Sequence, residues 1–165
     1  MKTLYLMRHA KSSWSFDELR DQERPLNDRG RDDAPRMGQA LVKRDIHPDL
    51  LVSSPAVRAL STAVLVAREL GYERDHIQIE PTIYQADLDT LLEVVRALPD
   101  TANSVLLTGH NPTISDVANY LSPSPLHGDM PTAAIMCLRF TAGTWAEVKQ
   151  ANAEFYFYDY PRNEH

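Results

Sequence analysis

Thr3-Leu4-Tyr5-Leu6-Met7-Arg8-His9 is an apolar run of five residues that ends abruptly in a guanidinium and an imidazole. Two later stretches repeat the plan. Leu50-Leu51-Val52 leads into Ser53-Ser54-Pro55-Ala56-Val57-Arg58, and Ser104-Val105-Leu106-Leu107-Thr108-Gly109 leads into His110-Asn111-Pro112. Short runs rich in Leu and Val are the pattern of strands buried on both faces of a parallel sheet. Ligands of such sheets gather outside the carboxyl ends of the strands. The three segments therefore aim Arg8, His9, Arg58 and His110 at one rim. Two guanidiniums and two imidazoles suit a phosphoryl group, with one histidine free to act as nucleophile.

Helical signals alternate with these strands. Ala34, Met37, Gly38 and Leu41 share one face of a helix ending near Arg44. Its start is either an Asp33 N-cap or a turn near Asn27, with Pro35 inside. Ser54-Pro55 reads as an N-cap followed by a first-turn proline, and Gly71 closes that helix. Leu88, Leu91, Leu92 and Val95 mark a third helix, stopped before Pro99. Asn111-Pro112 reads as a second cap-plus-proline start, with Ile114, Val117, Ala118 and Leu121 as the buried stripe. Ala133 to Phe140 and Glu154 to Tyr160 read as closing strands around a turn at Ala142-Gly143-Thr144. The order β-α-β-α-α-β-α-β-β predicts an α/β three-layer sandwich, a mainly parallel central sheet flanked by helices, in one domain spanning 1–165. The long irregular stretches Lys11 to Asp28 and Leu121 to Thr132 are expected to wall the site.

Leu6-Met7-Arg8-His9-Ala10-Lys11-Ser12 resembles the RHG-type motif of the histidine phosphatase superfamily. Ser53 to Ala59 and Thr108-Gly109-His110-Asn111-Pro112 resemble its second arginine and second histidine segments, in the same order. The chain length and Arg24-Pro25-Leu26-Asn27-Asp28-Arg29-Gly30 narrow the likeness to small bacterial SixA-type phosphohistidine phosphatases. The resemblance implies a histidine-phosphatase fold, His9 as nucleophile with a ring nitrogen fixed by a backbone carbonyl, Arg8 and Arg58 on the phosphate oxygens, and His110 as a phosphate donor. It also places Ser15, Asn27 and Thr132 near positions where relatives make polar phosphate contacts. Lys11, Arg20 and Arg24 either line the entrance or stand as solvated charge. Ala10 departs from the usual glycine after RH. Gln85 and Asn111 stand where many relatives carry an ionisable proton donor, which leaves Asp17 or Glu18 as alternative sources of an acid.

Composition narrows the function classes. The 165 residues carry a formal net charge of −6, a poor basis for general nucleic-acid binding. One cysteine, Cys137, allows no disulfide or thiolate metal site within the chain, and its apolar surroundings predict an inert thiol. The acidic pairs Asp32-Asp33 and Asp87-Asp89 read as helix-start carboxylates rather than metal ligands. His47, His76, His127 and His165 have no matching context and read as surface residues. The run after Lys2 is too short for a signal peptide, and no stretch has membrane-spanning length, so a cytoplasmic location is the expectation. The expected activity is cofactor-independent and metal-independent dephosphorylation of a phosphohistidine-containing protein. Two rival readings remain: a small-molecule phosphatase acting on sugar phosphates or nucleotides, and a non-catalytic phosphoprotein-binding module. The sequence leaves the oligomeric state open.

Overall fold

Odd and even positions of the first strand face different helices. In the computed structural model, which describes residues 1–161, β1 (Lys2–Arg8) sends Tyr5 and Met7 into one apolar cluster and Leu4 and Leu6 into another. That alternation follows from the pleat. The first cluster is closed by Ala34, Met37 and Leu41 of α1 (Asp28–Lys43) and Val66 and Ala67 of α2 (Val57–Leu70). The second is closed by Leu91, Leu92 and Val95 of α3 (Leu88–Arg96) and Ile114, Val117 and Leu121 of α4 (Thr113–Leu121). Each leucine fully buried this way stabilises the fold by roughly 1.5–3 kcal/mol. Helices thus cover both faces of the sheet, the expected three-layer α/β sandwich.

The sheet adds β2 (Leu50–Ser53), β3 (Gln78–Ile79), β4 (Ser104–Gly109), β5 (Ile135–Phe140) and β6 (Ala153–Asp159). Their order across it is β3-β2-β4-β1-β5-β6. Strands β3, β2, β4 and β1 are parallel, while β5 runs antiparallel to both β1 and β6. Because β1 and β4 are parallel neighbours with Arg8 opposite Gly109, the next residue of each, His9 and His110, emerge side by side. β2 borders β4 on the other side, with Ser53 opposite Thr108. The three site segments therefore meet at the centre of the sheet.

Several boundaries differ from the sequence reading, each for a local reason. Strand β3 went unread because it is two residues long and exposed. Of the two starts open for α1, the structure takes the earlier: the Asn27 side chain accepts the Gly30 N–H at 2.9 Å. Gly30 is also a point of close approach. A Cβ there would lie 2.1 Å from the Lys11 carbonyl oxygen, so the segment after His9 lies directly on the first turn of α1. Asp33 is consequently in the second turn, where Arg29 reaches its carboxylate at 3.4 Å, and it is not a helix-start residue. α2 begins at Val57, two residues later than Ser54-Pro55 suggests, because the Ser54 hydroxyl turns back to accept the Ala56 N–H at 3.2 Å. It ends as expected at Gly71, in the left-handed region at φ 69°. Nor does Asn111 cap α4. Its amide donates to the Met130 carbonyl at 3.1 Å and accepts from the Ser115 hydroxyl at 2.6 Å. β5 starts at Ile135 because Ala133, at φ 65°, bends its N–H onto the carbonyls of Arg8 and His9. Among the described residues, no helix is long and apolar enough to cross a membrane. The Cys137 thiol is fully buried in β5, and burial pushes it up to about 12, the inert state expected.

Candidate active site

His9 leaves the end of β1 with its backbone N–H on the Gly109 carbonyl at 3.1 Å. Its ring is nearly buried, and Nδ1 lies 2.7 Å from the Ala10 carbonyl oxygen. A carbonyl oxygen only accepts, so Nδ1 carries the proton and Nε2 keeps its lone pair. Ala10 is itself tied down: its N–H donates to the Thr62 hydroxyl at 2.9 Å, and that hydroxyl donates to the Arg58 carbonyl at 2.7 Å. One short chain of bonds therefore links the His9 tautomer to the first turns of α2. A methyl group at position 10 is accommodated with no exposed surface.

Around this ring stand the other three sequence candidates. The His110 ring centroid is 5.2 Å from that of His9, and Nε2 of His110 lies 2.7 Å from the Ser54 hydroxyl. Arg8, the last residue of β1, donates from Nη1 to the Met130 carbonyl at 2.9 Å. Its Nε and the Nδ1 of His110 are buried and lack hydrogen-bond partners, although buried polar atoms ordinarily find them. Arg58, in the first turn of α2, is buried and donates to Asp21 twice, to the backbone carbonyl at 2.7 Å and to Oδ2 at 2.9 Å.

The electrostatics follow from this crowding. Burial holds His9 down to about 3 against the upward pull of the Ala10 carbonyl, and the neighbouring His110, Arg58 and Arg8 each add a smaller downward push. Burial, with Arg58 and Arg8 beside it, lowers His110 to about 4, while Asp21 pulls upward. Both rings are neutral near pH 7. Among the described residues, no group of three or more His, Cys, Asp and Glu side chains is arranged to hold a metal ion.

The remaining candidates fall at different distances from this centre. Arg24 is buried beside it, donating to the Ser13 carbonyl, the Ser12 hydroxyl and Asp21 Oδ1, with the exposed Trp14 ring stacked 3.3 Å away. Asn27 spends its side-chain oxygen on the α1 cap. Lys11 is exposed, and its backbone carbonyl rather than its ammonium makes the local bond, accepting from the Asn27 N–H. Ser15 and Arg20 are exposed, with Arg20 bonded to Glu23. Thr132 is half-buried next to Ala133, whose N–H reaches the Arg8 and His9 carbonyls. Asp17, Glu18 and Gln85 are exposed. His47, His76 and His127 are on the surface as expected, and His165 lies outside the described residues.

Sequence reasoning missed Asp21 and Tyr84. Asp21 sits in a single 3₁₀ turn, Asp21–Glu23, within the first long loop. Besides Arg24 and Arg58 it binds the Tyr84 hydroxyl at 2.7 Å, and the Tyr84 ring packs edge-on to His110, 5.7 Å between centroids. The hydrogen bonds from Tyr84, Arg24 and Arg58 hold the Asp21 carboxyl well below the usual carboxylate range. The one sequence signal was its i, i+3 spacing to Arg24. In the segment read for a proton donor, Tyr84 and not Gln85 packs against the site. Apart from this pocket, a cavity of 690 Å³ runs along the outer face of α2, lined by Pro25, Val57, Leu60 and Leu65 among others, and none of the four central residues lines it.

Residues 4–90 match the family model of the histidine phosphatase superfamily (branch 1), and the chain belongs to that superfamily. It is 31% identical to an uncharacterised protein of Mycobacterium leprae, over 94% of this chain and 100% of that one. Its fold is similar to that of the protein histidine phosphatase SixA complexed with tungstate (TM-score 0.82, 22% identity, 99% of each chain). It is also similar to a structure assigned as phosphohistidine phosphatase SixA from Nakamurella multipartitia (TM-score 0.77, 29% identity, 98% of this chain and 96% of that one). A mycobacterial glucosyl-3-phosphoglycerate phosphatase shares the fold at a TM-score of 0.65 and 17% identity, over 94% and 97% of the chains.

Proposed function

We propose that the protein is a cofactor-independent phosphatase that works through a phosphorylated His9 and takes phosphohistidine in a protein as its substrate. The observation that carries this reading is the bond from His9 Nδ1 to the Ala10 carbonyl, which leaves Nε2 as a neutral nucleophile beside Arg8, Arg58 and His110. Nε2 attacks phosphorus, the bond to the leaving nitrogen breaks, and its electron pair stays on the departing imidazole. Water then forms a new P–O bond and gives its proton to the phosphate product, the P–Nε2 bond breaks, and the pair returns to Nε2. Arg8, Arg58 and His110 stabilise the transferring group, whose loose transition state depends on positioning and charge. The chain acts as one histidine phosphatase domain, 1–165, in the cytoplasm.

The choice of substrate rests on what the site lacks. Gln85 is exposed, Asn111 is bonded to Met130 and Ser115, and the Asp21 carboxyl is held ionised. A phosphomonoester leaves as an alkoxide, and a positioned acid accelerates that step by roughly 10²–10⁴-fold. Imidazole departs with less help. The small-molecule reading keeps one support, the fold shared with a glucosyl-3-phosphoglycerate phosphatase.

Trapping tests the reading. A slow labelled substrate quenched in alkali, where the N–P bond survives, leaves label on the peptide containing Met7-Arg8-His9, in EDTA as well as without it. His9→Ala abolishes label and turnover. A His9→Ala protein that retains a substantial fraction of the parent rate removes the covalent mechanism. Equal turnover of a sugar phosphate and a phosphohistidine protein moves the assignment to a small-molecule phosphatase.

A further inference from the structure

Asp21 holds more of the site than a surface ion pair requires. Its half-exposed carboxylate accepts from Arg58 Nη2 at 2.9 Å, Arg24 Nη1 at 2.8 Å and the Tyr84 hydroxyl at 2.7 Å. Its backbone carbonyl accepts from Arg58 Nη1 at 2.7 Å. One residue thus grips the Arg58 fork at both terminal nitrogens. A guanidinium has five N–H donors; two are committed to Asp21, which leaves others able to face a phosphate. The grip also puts a fixed negative charge against one of the two arginines that a dianionic product must bind. Arg58 of α2 and Tyr84 both reach this residue, so the loop carrying it is anchored to two other walls of the pocket, while Arg24 braces it from within the same loop.

We propose that Asp21 is a positioning residue that aims Arg58 and, as a fixed anion beside it, limits how tightly the pocket holds inorganic phosphate after hydrolysis. This role rests on the phosphatase reading of the site. A pocket with two unopposed arginines binds the ground-state product as eagerly as the transition state, and such uniform binding slows turnover once release matters. Fixing the fork in one orientation preserves the interaction that stabilises the transferring group, while the neighbouring carboxylate weakens the hold on the free dianion.

The test uses the full chain with Asp21→Asn, which keeps an accepting oxygen and drops the charge, and Tyr84→Phe, which removes one bond to the same carboxylate. Inorganic phosphate is titrated into each protein by calorimetry, and kcat and KM are measured on one substrate. Asp21→Asn is expected to bind phosphate roughly three- to tenfold more tightly, the effect of one charge a few ångströms away in a partly solvated site. Its kcat is expected to fall about tenfold or more through the loosened fork. Tyr84→Phe, which keeps the Asp21 charge, lowers kcat by less and leaves phosphate affinity at or below the parental value. Unchanged or weaker phosphate affinity in Asp21→Asn overturns the proposal whatever happens to kcat, and tighter binding with the parental kcat removes the positioning role. The phosphate titration needs no turnover, so failure of the His9 labelling experiment and failure of this one are told apart.

Discussion

The two ends of β1 each hold a cation against the protein interior, and they treat it in opposite ways. At the amino end, Lys2 is 2% exposed, and its ammonium donates to the Asp100 carbonyl at 2.7 Å and Asn103 Oδ1 at 3.0 Å. The Trp145 ring lies 5.9 Å away, with its own N–H on the Ala102 carbonyl. At the carboxyl end, Arg8 keeps a buried Nε without a partner, and His110 beside it keeps an unpartnered Nδ1. Unmet hydrogen-bonding capacity inside a protein costs roughly 1–3 kcal/mol per group. A fold tolerates that cost where an incoming group repays it. The satisfied end is structural, and the unsatisfied end is the one the proposed mechanism gives to the phosphoryl group.

Substitutions at the two ends should therefore separate cleanly. The largest expected effect is Arg58→Ala, which in the proposed mechanism removes a guanidinium from the transferring phosphoryl group and should lower kcat/KM by roughly 10³–10⁵-fold, with little change in thermal stability. A loss below tenfold would place Arg58 outside the chemistry. His110→Ala comes next, at about 10²–10³-fold, the cost of one lost donor to a charged transition state. Single-turnover rates should show both formation and breakdown of phospho-His9 slowed, and an effect on one step alone would argue against a shared donor.

At the structural end the readout changes. Lys2→Ala strands the Asp100 carbonyl and Asn103 Oδ1, and should cost about 1–3 kcal/mol of stability, a few degrees in Tm. The kcat of the folded fraction should stay at the parental value. A large fall in kcat with unchanged Tm would erase the distinction between the two ends.

The smallest effect is a pH dependence. His9 at about 3 and His110 at about 4 lie below the usual value near 6.5 that they regain on unfolding. The unfolded chain therefore binds more protons between these limits. The stability that comes from keeping both rings neutral is complete above about pH 6.5 and drains away as pH falls towards 4 and 3. Tm measured from pH 8 to pH 4 should decline in the acid range, and a His9→Gln/His110→Gln protein should decline less. The charges facing these rings are Arg8, Arg58, Asp21 and the hydroxyl-bonded Tyr84, and removing Arg58 should move the His9 titration upward. A His9 titration that stays put in Arg58→Ala would leave burial and the other neighbours as the cause and remove the share assigned to Arg58.

Most of the central site was legible in the chain because it is built from backbone rules. Strands buried on both faces read as unbroken apolar runs, and parallel neighbours deliver the residues at their carboxyl ends to one edge. Arg8, His9 and His110 are fixed by strand ends, and Arg58 by the first turn of the helix after β2. The helix starts were read less well. Ser54-Pro55 and Asn111-Pro112 have the composition of caps, but their side chains found other partners: Ser54 the His110 ring, and Asn111 the Met130 carbonyl. Local capping preference is worth about 1 kcal/mol, and a tertiary hydrogen bond of similar strength overrides it.

By itself, then, the sequence determined the layered α/β class and the strand ends and first helical turn that bring Arg8, His9, Arg58 and His110 together, because periodicity and strand direction are local properties. The tertiary structure alone decided the tautomer of His9, set by the Ala10 carbonyl and relayed through Thr62. It alone brought Asp21, 37 residues from Arg58 and 63 from Tyr84, into the same wall. Such contacts depend on how a loop without periodicity folds back over the sheet edge, and the free energy that holds it there comes from partners distant in sequence.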